Sequence, residues 1–300
     1  MNAAPAEAPG SPWSAFWYAE GSARQLAAAR ILLSAVALWM VLSRADLPSV
    51  LAFPEELWAN VTPERRLRFL MLFPLGIERA LYALLHATLA CALLGVWPRA
   101  ACLASGLLLY HFAPFETIVR TPNPYLRGLT IPTLGLLVLS FSRCGDALAL
   151  SGLRSRTAPA PSWQYAWPLR LVQVFFCQIY LFAAYSKLFA SGFAWLASEN
   201  VRGHLLVLNQ ALSEPPEASW GYALARHPAL CGAVGWAGLA LELAFPLVLV
   251  SRAARLVLLP AAVAFHLANS ALFRIFFQNV PLLLLFVDWD RLLPGRREAT

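Results

Sequence analysis

Apolar residues occur along this chain in long runs, which are separated by shorter segments rich in arginine and proline. A helix that crosses a bilayer needs about 20 mostly apolar residues. The runs lack the strict alternation of a membrane β-barrel, which favours helices. The sequence therefore predicts an all-α fold, a polytopic transmembrane helical bundle of about eight spans. We place the helices at residues 24–43, 76–96, 100–116, 126–142, 168–189, 229–250, 253–272 and 274–288.

Two stretches outside this simple pattern matter for the fold. A short amphipathic helix is predicted around residues 197–212, in the connection after the fifth span. Residues 253–288 leave two interpretations, either two spans or one long span followed by a re-entrant piece broken at Pro281. We divide the chain into a polar or interfacial N-terminal segment (1–23), a transmembrane domain (24–289) and a short basic tail (290–300).

Composition narrows the class of protein. Residues are 59% hydrophobic and only 13% charged, with a mean hydropathy of +0.60, whereas soluble chains are about a quarter charged. The net charge of +7 is spread through the connections and forms no basic block, so no nucleic-acid partner is predicted. The five cysteines lack metal-binding spacing, and no metal is predicted. We expect a multi-pass integral membrane protein, with membrane lipid as a partner and the bacterial inner membrane as its location.

The fifth predicted helix carries an unusual polar stripe. Six residues are spaced by three and four positions in turn, which places them on one face of a helix. Four of the six are polar, while the opposite face is leucine, valine, phenylalanine and isoleucine. This face is expected to contact protein or water and not lipid. The stripe consists of Arg170, Gln173, Cys177, Tyr180, Ala184 and Lys187.

Lys187 is the only lysine among the 23 lysine and arginine residues of the chain. Arginine stays protonated, whereas a lysine in apolar surroundings can lose its proton and act as a base. An ionisable group in a span costs about 2.5–3.5 kcal/mol on insertion scales and is often functional. The alternative is that Lys187, near the end of its helix, extends to the lipid headgroups. The residues alone leave both interpretations open.

Polar residues also occur in other spans. In the seventh predicted helix, His266, Asn269 and Ser270 share one face and could bind a polar substituent or join helices. Glu242 lies within the sixth span and needs a partner, for which Arg30 and Arg170 are the candidates. We expect Glu242 and Arg30 to form a structural ion pair.

Several of these residues stand in a recognisable order. The most specific pieces are Phe265-His266-x-x-Asn269-Ser270-x-Leu272-Phe273-x-Ile275, and Arg170-x-x-Gln173 followed by Tyr180 and Lys187-Leu188. Weaker pieces are Arg30, Glu242 and Asn123-Pro124-Tyr125-Leu126-x-Gly128. With these motifs the chain resembles the HTTM (horizontally transferred transmembrane) family, which includes the membrane domain of the vitamin K-dependent γ-carboxylase. The resemblance runs from about residue 24 to residue 289.

The resemblance implies a reaction and a base. In the carboxylase, a lysine in the membrane deprotonates vitamin K hydroquinone, whose anion reacts with oxygen to form a strong base. That base removes a proton from a glutamate side chain, carbon dioxide adds, and the quinone leaves as an epoxide. Lys187 aligns with this lysine. The implied substrate-binding residues are Arg170, Gln173, Tyr180, His266, Asn269, Ser270, Asn123 and Tyr125.

Two functions follow from this comparison. The chain departs from the family at Ser186, where the carboxylase has a second lysine, and at Asn123, where it has a histidine. One function is a quinol- and oxygen-dependent enzyme of the carboxylase type with Lys187 as base. The other is a non-enzymatic or accessory membrane protein, similar to the SdpB-like relatives, that binds a lipid or a small peptide.

Overall fold

The computed structural model describes residues 11–43, 73–120, 128–152, 159–210 and 219–292, with the backbone alone at residues 114–120 and 152. These ranges are helical apart from turns and one isolated bridge. The α-helices are α1 (Pro12–Tyr18), α2 (Ala23–Leu42), α3 (Leu75–Leu94), α4 (Pro98–Arg120), α5 (Thr130–Ser140), α6 (Trp163–Ser191), α7 (Ser198–Gln210), α8 (Trp220–Ala225), α9 (Pro228–Ala244), α10 (Arg252–Phe273) and α11 (Trp289–Leu292). Short 3-10 helices follow at Leu150–Gly152, Gly192–Leu196, Phe245–Leu249 and Val280–Phe286.

The prediction of membrane-spanning helices is confirmed in its main part. Among the described residues, five helical segments are long and apolar enough to cross a membrane. α5 has only 11 residues and rises about 16 Å, about half the thickness of the hydrocarbon core. The total of eight spans stays a prediction. The five segments are Ala23–Leu42, Leu75–Leu94, Trp163–Leu196, Pro228–Leu249 and Arg252–Phe273.

The eighth predicted helix, at residues 274–288, differs from the structure. α10 ends at Phe273, and Arg274 adopts a left-handed conformation (φ 56°) that no continuing helix allows. The chain resumes as the 3-10 helix Val280–Phe286, which contains Pro281 and its missing amide donor. The amphipathic helix predicted near residues 197–212 is confirmed as α7.

The chain divides into two compact units, Met1–Val172 with Val287–Thr300, and Gln173–Phe286. In the first unit, α2 packs against α3 and α5, and α4 packs against α3 and α5. Its most deeply buried helix is α2, which begins with Ser22 as N-cap. The amide of Gln25 links α2 to the final segment, donating to the Val287 carbonyl (2.5 Å) and accepting from the Trp289 amide (2.8 Å).

Arg30 joins α2 to two other segments inside the first unit. Its side chain is completely buried, and its guanidinium donates to four backbone carbonyls of other segments. Two of them, Ala92 and Leu93, are at the end of α3, where helix carbonyls have no partner in their own helix. The other two, Cys144 (3.1 Å) and Leu148 (2.6 Å), belong to the turn after α5.

Gly95 makes this arrangement possible at the end of α3. Its φ of +73° ends the helix, and a Cβ there would lie 2.5 Å from the Ala149 Cα and 3.1 Å from Arg30 Nη1. Only glycine accepts both this backbone conformation and this close approach.

In the second unit, α7 packs against α8, α9 and the 3-10 helix Gly192–Leu196. α10 packs against α8 and against the 3-10 helices Phe245–Leu249 and Val280–Phe286. A buried amide closes this end of the unit, because Asn209 Nδ2 donates to the Leu272 carbonyl (2.8 Å) and Asn209 Oδ1 accepts from Ser219 Oγ (2.7 Å). The last turn of α10 is thereby held against α7.

We predict that Arg30→Met strongly destabilises the protein. A buried carbonyl left without a donor costs about 1–3 kcal/mol, and four carbonyls lose theirs, so the thermal midpoint in detergent should fall by several degrees. Arg30→Lys should recover only part of the loss, because an ammonium lacks the planar, branched donor geometry. The control is Arg202→Lys on an exposed side chain, and an equal midpoint for all three variants would contradict the prediction.

Candidate functional site

The polar stripe of α6 faces protein, as the sequence predicts. Within the second unit, Gln173, Cys177, Tyr180 and Ala184 are buried. The opposite face is exposed and apolar, as expected for contact with lipid. Its exposed members are Ile179, Leu181, Phe182, Tyr185 and Phe189.

Lys187, at the end of this stripe, forms a salt bridge with Glu242 of α9. The ammonium donates to Glu242 Oε1, and the side chains are 22% and 4% exposed, respectively. The surroundings are apolar, with Ala184, Leu196 and Leu239 forming a buried cluster nearby. The second carboxylate oxygen, Oε2, is buried and has no partner among the described residues. Such a group can still accept a hydrogen bond from a ligand.

Tyr180 and His266 form a second polar pair in the same unit. The tyrosine hydroxyl lies 2.8 Å from His266 Nε2, and its ring stacks on Phe245 with centroids 3.9 Å apart. His266 is also in ring contact with Phe277 (4.8 Å). Its other nitrogen, Nδ1, is buried without a partner among the described residues.

The hydrogen bond fits either tautomer of His266, and we assign the tautomer from the chemistry of the phenol. A phenol donates readily, so the Tyr180 hydroxyl is assigned as the donor to Nε2, and the proton of the neutral ring is then on Nδ1. The pair therefore offers a buried N–H donor, whereas Glu242 Oε2 offers a buried acceptor.

Tyr180 and Lys187 make their contacts from one face of α6. Tyr180 and Lys187 are seven residues apart on the same face of α6, which corresponds to about 10 Å along the axis. Phe245, which stacks on Tyr180, and Glu242, which pairs with Lys187, are three residues apart at the end of α9 and the start of the following 3-10 helix. A buried acid, an amine, a phenol and an imidazole are thus assembled in apolar surroundings.

The other predicted site residues lie elsewhere. Gln173 donates to the Leu285 carbonyl (2.7 Å), which joins α6 to the 3-10 helix Val280–Phe286. The guanidinium of Arg170, in the first unit, lies over the Phe16 ring at 5.3 Å from its centroid. Asn269 and Ser270 are half-buried one turn beyond His266. The two remaining residues, Asn123 and Tyr125, lie outside the described residues.

The expected ion pair of Arg30 with Glu242 is not what the structure shows. Glu242 pairs with Lys187, and Arg30 donates to backbone carbonyls. The physical reason is that a carbonyl cluster at a helix end can satisfy a buried guanidinium as well as a carboxylate can.

Sequence reasoning missed a further acid. In the first unit, Glu78 in the first turn of α3 is almost fully buried, and its two carboxylate oxygens lie 3.2 Å and 2.9 Å from His111 Nε2 of α4. The Phe73 amide also donates to this carboxylate (3.0 Å). The signal was an acid and a histidine in neighbouring apolar runs, which are expected to face each other when they cannot face lipid.

One comparison with known proteins gives a match. The model of the HTTM domain family matches residues 18–289, nearly the whole chain and all five candidate spans. No curated protein and no solved structure matches the chain.

We predict a strong coupling between Lys187 and Glu242. Removing one partner of a buried pair leaves an uncompensated charge, at about 3–5 kcal/mol, so Glu242→Leu and Lys187→Met should each lower the thermal midpoint markedly. The double variant should lose far less than the sum, because both charges are gone.

A matched control is the exposed pair Arg202–Glu199. Its alanine variants should act additively, within about 0.5 kcal/mol. Additive losses at Lys187 and Glu242 as well would contradict a buried ion pair.

Proposed function

We propose that this chain, which belongs to the HTTM domain family, is a membrane enzyme in which Lys187 is the base that deprotonates a reduced, lipid-soluble quinone. The observation that carries the proposal is the partly buried Lys187–Glu242 pair, whose second carboxylate oxygen has no partner among the described residues. Family membership and the apolar helices make it an integral membrane protein, so a ligand would reach this pair from lipid.

The hydrogen-bonding capacity of the site fits such a ligand. Glu242 Oε2 needs a donor, which a phenolic hydroxyl supplies. His266 Nδ1–H needs an acceptor, which the oxygen of a second ring substituent supplies. The stacked rings of Tyr180 and Phe245 offer the flat apolar contact that an aromatic ring prefers. A para-disubstituted ring with two oxygens satisfies all three demands.

Glu242 adds a function that the sequence did not indicate for it. A lysine and a carboxylic acid that are hydrogen-bonded to each other can exchange the proton between them. When that proton moves to Glu242, the amine of Lys187 is neutral and can accept a proton from the ligand hydroxyl. The resulting ammonium then stabilises the ligand anion beside it, in surroundings where water does not screen the attraction.

The remaining parts of the proposal come from the family resemblance. The reduced quinone supplies electrons and oxygen accepts them, giving quinone epoxide and water. Carbon dioxide is then the group added to a glutamate side chain of a peptide substrate. Within this scheme Arg170, Gln173, Asn269, Ser270, Asn123 and Tyr125 are proposed to contribute to substrate binding. We also propose the bacterial inner membrane as the location.

A second function is favoured by one observation. The Lys187 ammonium is already engaged by Glu242, which is also what a purely structural ion pair requires. On this alternative the protein is non-enzymatic or accessory, in the manner of SdpB-like peptide maturation, and binds a lipid or small peptide without turnover. Mass spectrometry of the purified protein distinguishes the two, because copurified quinone favours the enzyme and copurified peptide favours the accessory function.

We predict that the purified protein converts vitamin K hydroquinone and oxygen to the epoxide, measured by chromatography. Lys187→Arg should abolish this turnover, because arginine keeps its proton. Loss of a general base typically lowers rates by about 10²–10⁴-fold. Ser186→Ala, at the neighbouring position, is the matched control and should remain active. Full activity of the arginine variant would exclude Lys187 as the base.

We predict that Tyr180→Phe weakens quinone binding about five-fold. The variant keeps the stack on Phe245 but removes the hydroxyl that orients His266, and one such hydrogen bond contributes about 1 kcal/mol. Binding is measured by titrating the protein with an oxidised quinone, which separates affinity from turnover. Tyr185→Phe, on the exposed face of the same helix, should bind as the wild type does, and equal behaviour of the two variants would argue against this site.

A further inference from the structure

A second candidate binding site lies in the first unit, and its lining residues take no part in the proposed reaction. Two spans begin at the same level there, because Gly21 and Ser162 exchange backbone hydrogen bonds of 3.1 Å and 3.0 Å just before α2 and α6. α1 immediately precedes this bridge. Aromatic residues just before two candidate spans match the enrichment of tryptophan and tyrosine at membrane boundaries.

A cavity of about 220 Å³ opens at this place, and aromatic side chains alone line it: Trp17, Tyr18, Trp163 and Trp167. Tyr18 and Trp163 meet edge to face, with centroids 5.7 Å apart. Trp17 is braced in the same way by Phe16 at 4.9 Å. The walls are therefore held in place by ring contacts between α1 and the start of α6.

One polar atom of the lining residues has no partner. The indole nitrogen of Trp17 is buried and has no hydrogen-bond partner among the described residues. An indole N–H is a donor only, and a buried donor without an acceptor costs about 1–3 kcal/mol. The chemistry of the site thus demands an acceptor that is surrounded by apolar groups.

The nearby charges favour an anionic acceptor. Arg170 is on the same face of α6 as Trp163 and Trp167, and its guanidinium lies over Phe16, the neighbour of Trp17. The start of α6 adds the positive end of a 29-residue helix. Two acids are near the start of α6 and α1: Glu20 is exposed two positions after Tyr18, and Asp146 accepts from Tyr165 (2.7 Å) and is paired with Arg143.

We propose that this cavity binds the phosphate and glycerol ester region of a membrane phospholipid. That part of a lipid carries several acceptors and few donors, and it lies directly above the acyl chains. The Trp17 N–H would donate to a phosphate or ester oxygen, while the aromatic walls hold the adjoining chain. Its four lining residues have no role in the proposed reaction, so the site would exist in an accessory protein as well.

Native mass spectrometry of the protein, released from nanodiscs of phosphatidylglycerol, tests this directly. The wild type should retain one phospholipid per chain. Trp17→Phe keeps the ring and removes the N–H, so we expect about five-fold weaker retention. Trp167→Ala, which removes a wall, should lose more. Trp220→Phe, an exposed tryptophan of the other unit, should retain lipid as the wild type does.

Other outcomes overturn the proposal. Unchanged retention in both Trp17→Phe and Trp167→Ala would show that the lipid binds elsewhere, and an equal loss in Trp220→Phe would show non-specific binding. Displacement of the lipid by soluble glycerol 3-phosphate would assign the site to a free phosphate ester. Because Trp17→Phe is conservative, its melting temperature should equal that of the wild type.

Discussion

Lipid supplies no hydrogen bonds, so a polar group on a spanning helix must find its partner within the protein. The described part of this chain obeys that constraint in several ways. A guanidinium is satisfied by backbone carbonyls at Arg30, a carboxylate by a lysine at Glu242, and another carboxylate by a histidine at Glu78. Each arrangement joins segments that are far apart in sequence, so the same bonds that satisfy polar groups also fix the packing.

Six buried side-chain atoms of the described residues lack a hydrogen-bond partner, and two of them belong to the candidate site. Those two are Glu242 Oε2 and His266 Nδ1, and a third is the indole nitrogen of Trp17 in the first unit. Buried polar atoms without partners are rare in folded proteins and call for an explanation. The first two lie in the unit that carries the only lysine of the chain, whereas the third belongs to a residue that lines the aromatic cavity. The proposed quinone would bind to the first two atoms, and the proposed phospholipid to the third.

Much of the architecture is predictable from the sequence, since helix length and polar spacing are local properties. The stripe on α6 faces protein because its spacing allows no other arrangement in lipid, and the starts of α2 and α10 fall within one residue of the prediction. The partners of the charged groups are a different matter. Arg30 was expected to pair with Glu242. The sequences of the two helices do not indicate that the carbonyls of Ala92 and Leu148 accept hydrogen bonds from Arg30. That information lies in how three separate segments meet.

The prediction of a helix after α10 was wrong for a related reason. Residues 274–288 are apolar enough for a helix, yet Arg274 turns left-handed where Asn209, 65 positions earlier, bonds to the Leu272 carbonyl.

The candidate site was predictable to the extent that its residues share one helix. Lys187 and Tyr180 follow from the α6 periodicity, whereas Glu242 as the partner of Lys187 requires the packing of α6 against α9.

The position of Arg30 has a consequence for biosynthesis. α2 is the first candidate span to emerge, and it carries an arginine that costs about 2.5–3.5 kcal/mol to insert. The carbonyls that accept from this arginine belong to residues 92–93 and 144–148, which are translated more than sixty and more than one hundred residues later. The insertion of the first span therefore carries an unfavourable free-energy contribution from Arg30. That contribution is offset only when roughly half of the polypeptide has been made and the accepting carbonyls are present.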